Sequence, residues 1–307
     1  EALGASTGDA VSWSRARDLC RTGRVRLDGA IASDDALRVR EAASIEIAPT
    51  APKRTQGVLP RDAVLHLDAD VIIVRKPAGV VTVPFAEGER DTFVDRVRAL
   101  VSRIEKAQAK GTARERGPRD AMIGVVQRLD KDTTGVMVFA RTMKAKRALE
   151  EQFRVHSIER RYLAIAHGDV ASARHESFLV QDRGDGLRGS WGAFRGHSGP
   201  PPTDAKRAMT HVRRIEPLEG ATLVECRLET GRQHQIRIHL AESGHPLVGE
   251  PVYVRDHAGP RIEAPRPMLH AAVLGFVHPR DGITARFEDA PPDDFAACLA
   301  RLRARRD

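Results

Sequence analysis

The chain predicts an α+β fold in two parts, the larger built on a mixed sheet, and three observations carry that reading. Short β-like runs dominate, at 71–74, 79–84, 136–140, 162–168, 221–229 and 236–240. Helical patterns are fewer, chiefly 91–106 and 142–155, and they neither alternate strictly with the strands nor stand apart from them, which fits neither a regular βαβ series nor an all-β one. A segment with three prolines and no apolar periodicity, 49–60, divides a small basic N-terminal unit from the rest, as a linker does. The expected domains are therefore 1–52 and 53–307.

Within the N-terminal unit, Ser14 is placed to cap a helix through Leu19 and Cys20, and Gly23 to end it in a left-handed turn. Val25–Leu27 then begins a strand that Asp28–Gly29 turns back, and 44–48 supplies a third short strand. Arg17, Arg21 and Arg24 stand at i, i+4 and i+7, on a face apart from Ala16, Leu19 and Cys20. Such a face is either simply solvated or a nucleic-acid footprint. Arg15 and Arg26 extend it, and the whole chain carries 50 Lys+Arg against 42 Asp+Glu, a formal charge of +8, so the second reading is favoured.

Composition narrows the larger part. A chain of 307 residues can bury an enzyme-sized core. Its apolar stretches are strand-sized, and no export signal opens it, so the expectation is a soluble, cytoplasmic monomer that does not enter membranes. Cys20, Cys226 and Cys298 lie far apart without CxxC spacing, which suggests neither a disulfide framework nor a thiolate zinc site. Rossmann and P-loop glycine patterns are missing. Two segments, 101–120 and 181–207, are basic or rich in glycine and proline and read as loops, either solvated or closing on an RNA backbone.

Two stretches carry the chemistry. In "GVVQRLDKDTTGVMVFA", 124–140, Arg128, Asp130 and Asp132 sit between apolar runs and just before Gly135. A loop entering a buried strand holds such a carboxylate in place, although Asp130 capping the turn through the Thr133 or Thr134 amide explains it equally well. In "ETGRQHQIRIHLAESGHPLVGEPVY", 229–253, an extended reading of 235–240 puts Ile236, Ile238 and Leu240 on one face and Gln235, Arg237 and His239 on the other. Arg237 beside Asp130 would keep that carboxylate ionised. On the same strand reading His234 and His239 face opposite ways, so no metal site is expected.

These stretches and three others, in order, resemble the RluA-like family of RNA pseudouridine synthases. Its H-R-L-D-x-x-T/S-S/T-G motif is met by Gln127, Arg128, Leu129, Asp130, Thr133, Thr134 and Gly135. "VIIVRKPAGVVTVP" resembles its strand-NKPAG-strand block, "RRYLAIAHG" its K-x-Y-x-A-x-x-x-G, 230–253 its TGRxHQIRxH…GHPIxGD segment and "MLHAAVLGFVHP" its closing LHA…L-x-F-x-HP. Residues 14–29 resemble the small alpha-L RNA-binding domain named after a ribosomal small-subunit protein. The chain departs at Gln127, where the family usually has His, and at Arg75, Thr134 and Glu250.

The resemblance implies a largely antiparallel catalytic sheet and isomerisation of uridine in RNA without any cofactor. It implies that Asp130 acts at the ribose, Arg237 orients and charges it, and Tyr162 stacks on the uracil and helps remove the C5 proton. It also places Arg128 in the gap left by the flipped base, with Lys76 and Arg232 on the RNA backbone and Arg15, Arg17 and Arg21 in the N-terminal RNA contact. The implied partner is RNA, ribosomal RNA of the large subunit foremost and transfer RNA as the alternative. Two competing readings remain: a paired-carboxylate hydrolase using Asp130 and Asp132, and a ribosomal-RNA binder without catalysis.

Overall fold

The computed structural model describes residues 12–21, 24–32, 43–49, 57–85, 91–109, 122–192 and 199–304, in two compact units, Glu1–Val58 and Leu59–Asp307. The first unit holds helix α1 (Trp13–Arg21) and strands β1 (Val25–Leu27), β2 (Ala30–Ile31) and β3 (Ile45–Ile47), paired antiparallel in the order β2-β1-β3. Asp28 and Gly29 take φ of 49° and 79°, the left-handed pair that a tight hairpin turn needs. Leu19, Cys20 and Val25 make its small core, with Ile45 and Ile47 against it.

Two expectations for this unit change. The helix begins before Ser14, and it is the Ser12 hydroxyl that accepts the Arg15 amide, at 3.3 Å. Because the helix closes at Arg21, Arg24 lies beyond it and cannot extend the Arg17–Arg21 face. Gly23 and most of the linker, 50–56, fall outside the described residues.

The second unit is built on eleven strands. After a short turn of helix at Arg61–Ala63 come β4 (Val64–Leu67), β5 (Val71–Lys76), α2 (Phe93–Ala109), β6 (Gly124–Val125), β7 (Thr134–Ala140) and α3 (Met143–Arg154). There follow β8 (Glu159–His167), β9 (Ala173–Val180), β10 (Gly189–Ser190), β11 (Lys206–Leu218), β12 (Ala221–Leu228), α4 (Gln235–Glu242), β13 (Leu269–Val277), β14 (Thr284–Glu288) and α5 (Asp293–Ala304). The order is β10-β9-β11-β12-β8-β13-β7-β5-β4, with β14 on β13 and β6 on β7. Every pair is antiparallel except β13 with β7, which makes this the mixed, largely antiparallel sheet of an α+β fold.

Both faces of the sheet are covered, so its central strands read as unbroken apolar runs. On one side Ile72, Val74, Met137 and Phe139 meet Phe93, Val97, Leu100 and Val101 of α2. On the other Val71, Ile73, Val136 and Val138 meet Ala145 and Leu149 of α3. Each fully buried side chain of this size contributes roughly 1.5–3 kcal/mol. Helix α3 starts where Thr142 accepts the Ala145 amide at 3.1 Å, and α5 covers the far end through Phe295, Cys298 and Leu302. The three cysteines are buried, and none is in a disulfide among the described residues.

Three elements differ from expectation. Residues 79–84 form no strand; they are a loop whose carbonyls at Val81 and Thr82 accept the first amides of α2. The segment 101–109 belongs to α2, and 110–121 lies outside the described residues. The stretch 236–240 is helical rather than extended. Gln235 through Leu240 are all buried, with Ile236 and Leu240 entering one core cluster and Ile238 another. A short helix buried on all sides leaves no amphipathic period to read.

Gly135 marks the tightest point. Its φ is 118°, and a Cβ there would lie 2.2 Å from the Ala271 carbonyl oxygen on the parallel neighbour β13. Gly135→Ala is therefore expected to cost more than about 3 kcal/mol and to lower the Tm by roughly 6–12 °C in thermal unfolding. A variant that melts with the wild-type protein would refute the close β7–β13 approach.

Candidate active site

The turn from Asp130 to Thr133, which leads into β7, is closed by main chain: the Thr133 amide donates to the Asp130 carbonyl at 3.1 Å. The Asp130 side chain is thus not spent on capping. What holds the loop is a lysine from β5. Lys76 is 1% exposed, and its Nζ donates to the carbonyls of Pro77, Asp130, Lys131 and Thr133 at 3.1, 3.0, 2.8 and 3.0 Å. An ammonium has three protons, so four carbonyls share them. Thr82 adds a second tie, its hydroxyl donating to the Leu129 carbonyl at 2.8 Å and accepting the Leu129 amide at 3.2 Å.

A cleft of about 720 Å³ opens above this loop, lined among others by Arg128, Asp130, Asp132, Tyr162, Arg232 and Arg237. The Arg237 guanidinium approaches the Asp130 carboxylate at 3.9 Å. Its closest partner, however, is Glu250, which it meets in a two-pronged pair at 2.8 and 2.6 Å. Glu250 is 1% exposed and also accepts the amides of Val252 and Tyr253. Burial raises the Glu250 carboxyl, but the Arg237 hydrogen bond and charge outweigh it and hold the group below the usual carboxylate range. A fork-shaped guanidinium gripped this way has one orientation, and its remaining nitrogen faces Asp130.

Arg237 reaches the cleft because its helix starts sharply. His234, at φ 58°, turns the chain into α4, and its Nδ1 pairs with the Tyr253 hydroxyl at 2.7 Å. The Gln235 side chain accepts from the Thr230 hydroxyl and the Arg232 amide and donates to the Met209 carbonyl. Tyr253 lies under the guanidinium, 5.2 Å from ring centre to Cζ, a cation–π distance. His234, Glu250 and Tyr253 escape the reading of 235–240 as a strand because they serve a helix.

Tyr162 comes from β8 and is 8% exposed. Burial pushes its phenol up to about 12, with Arg160 lowering it and Asp130 raising it further. At neutral pH the hydroxyl therefore keeps its proton. Arg128 and Arg232 are exposed at the cleft, and Arg232 also donates to the Arg207 carbonyl. Lys76, expected on the RNA backbone, is turned into the protein and reaches no phosphate. The buried Gln127 Nε2, at the wall of the cleft, has no hydrogen-bond partner among the described residues. In the first unit, Arg15 and Arg17 are exposed, with Arg15 3.4 Å from Asp18 and Arg17 over the Trp13 ring, and Arg21 closes α1.

A carboxylate, a fixed guanidinium and a tyrosine thus line one cleft beside the mixed sheet, the kind of constellation that marks an active site. Residues 70–242 match the RNA pseudouridylate synthase family, and the chain belongs to it: this is an RNA pseudouridine synthase. Ribosomal large subunit pseudouridine synthase D of Zymomonas mobilis is 35% identical over 301 residues, 95% of this chain and 90% of that protein. The Xanthomonas campestris protein of the same name is 34% identical over 95% of this chain and 85% of its own length. The fold is shared with human RNA pseudouridylate synthase domain containing 4, at a TM-score of 0.61 and 21% identity over 78% of this chain and 93% of that one.

Burial depresses the Lys76 ammonium to about 7, opposed by the charges of Asp132 and Asp130. Because the folded value lies below the unfolded one, between about pH 7 and 10.5 the unfolded chain binds the extra proton, and the contribution of Lys76 to stability rises with pH across that window. The difference in ΔG of unfolding between the wild-type protein and Lys76→Met should accordingly shift in favour of the wild-type protein as pH rises through it. The variant, with loop carbonyls left unpaired, is expected to lose at least about 100-fold in kcat.

Proposed function

We propose that this synthase converts uridines of large-subunit ribosomal RNA, with Asp130 as the group that acts at the ribose. The observation that carries the reading is the Asp130–Arg237 approach at 3.9 Å in a cleft that also holds Tyr162 and Arg128. The two relatives named for the ribosomal large subunit, similar over nearly the whole chain, support the choice of RNA.

The reaction breaks the bond from ribose C1′ to uracil N1, turns the base and joins C1′ to C5. A proton leaves C5 and one arrives at N1, so no atoms or electrons are gained overall. Asp130 supplies the carboxylate, as nucleophile or base at the sugar. Arg237, fixed by Glu250, orients it. Tyr162 offers a ring against which the detached uracil stays confined. The target uridine must leave its helix to reach the cleft, and Arg128 at the rim fills the vacancy or meets a phosphate. Arg232 extends the basic rim. Residues 1–52 act as an alpha-L-type RNA-binding domain through Arg15, Arg17 and Arg21, and 53–307 as the catalytic domain.

Arg237 approaches only the first of the two aspartates among the described residues, which favours isomerisation over a paired-carboxylate hydrolase. Asp130→Asn is expected to lower turnover by at least about 10³-fold while leaving the melting curve close to that of the wild-type protein. The assay is tritium release from ribosomal RNA labelled at uracil C5, with released free uracil measured in parallel. Full activity in the variant, or free uracil from the wild-type protein, would overturn the proposal. Mapping pseudouridine in ribosomal and transfer RNA from cells with and without the gene decides the RNA.

A further inference from the structure

Away from the cleft, two imidazoles from separate segments converge on one carboxylate oxygen. His66 on β4 and His278 just beyond β13 each place Nε2 2.9 Å from Asp68 Oδ2, in the turn between β4 and β5. The other oxygen, Oδ1, is held by the backbone amides of Asp70 and Val71 at 2.7 and 2.8 Å. We propose that His66, Asp68 and His278 form a site for a divalent transition cation, zinc-like in its preference, that pins the β4–β5 hairpin to the end of β13.

The geometry suits such an ion. The three candidate donor atoms lie within 4.8 Å of one another. Ligands about 2.1 Å from one ion stand roughly 3.0–3.4 Å apart at angles from square to tetrahedral, and the two nitrogen–oxygen separations of 2.9 Å need to open only slightly to admit it. Since Oδ1 is fixed by the turn itself, Oδ2 can change partner without disturbing the backbone. His66 is 40% exposed along its side chain, which leaves solvent or a further ligand a way in. Two neutral imidazoles and one carboxylate are a common donor set for zinc.

The surroundings favour a cation as well. The neighbouring arginines have partners elsewhere: Arg280 pairs with Asp70 at 2.6 Å, and Arg141 with Glu105 and the Asp68 main-chain carbonyl. Among the described residues no lysine or arginine pairs with the Asp68 carboxylate. The Asp281 carboxylate stands 3.6 Å from His278 Nδ1, near enough to accept, after a small approach, the N–H hydrogen bond that a metal-bound imidazole donates. That nitrogen now lies 3.3 Å from the Arg280 amide, so binding requires it to exchange one neighbour for the other. Phe287 and Phe276 wall the imidazoles, with ring centres 5.6 Å from His66 and 6.5 Å from His278.

The test uses the full chain stripped with a chelator, titrated with Zn²⁺ by calorimetry and with Co²⁺ by visible absorption. One ion per chain is expected, with a Tm rise of at least about 3 °C when free Zn²⁺ is 100 times Kd. His66→Gln and Asp68→Asn, the latter keeping an oxygen for the turn amides, should each weaken binding at least about 10-fold and leave uridine conversion unchanged. Binding well below one ion per chain, or equal binding by both variants, would overturn the proposal.

Discussion

A buried ammonium organises the catalytic loop. The segment between β6 and β7 has no regular secondary structure, yet its carbonyls at Asp130, Lys131 and Thr133 all point at Lys76 Nζ. Burying an amine this fully is unfavourable unless its protons are satisfied, and the loop satisfies them by curling around it. The ammonium and the loop conformation therefore depend on each other. Thr82 fixes the residue before Asp130 from the other side, so the carboxylate sits on a backbone held at both flanks.

The charges of the site follow the same economy of parts. Asp130 and Glu250 face Arg237, and Lys76 lies beneath the loop. Arg237 could bind Asp130 tightly. Glu250 instead takes the bidentate grip, so the guanidinium stands 3.9 Å from Asp130 and leaves that carboxylate open to the cleft. In a pocket partly closed to water the field of a guanidinium is stronger than at the surface.

Much of this was legible in the sequence. The apolar runs at 71–74, 136–140, 162–168 and 221–229 become strands, and the helical pattern at 142–155 becomes α3. Asp130, Arg237 and Tyr162 do share one cleft. The alternation at 235–240 misled, since period two suggests a strand, whereas the cause was a helix buried all round. Lys76 misled because charge predicts solvent, and no local pattern announces that three distant carbonyls, with that of Pro77, will receive it. Glu250 and Tyr253 lie 13 and 16 positions beyond Arg237, a partnership that only the fold creates.

The relation between loop and tyrosine rests on a single residue of β13. Ala271 pairs with Gly135 on one side and with Tyr162 on the other. Gly135 begins the strand that the Asp130 loop enters, and Tyr162 carries the ring at the cleft, so one residue on β13 sets the spacing between the two. Here alone among the described strands the pairing is parallel, and the backbones come so close that a Cβ at 135 would meet the Ala271 carbonyl. A side chain at that point would move the two neighbours apart, and with them the carboxylate and the ring. The glycine that ends the polar run is thus a condition for the site's geometry, and the tight approach it permits explains why the loop before it must be held by a lysine rather than by regular pairing.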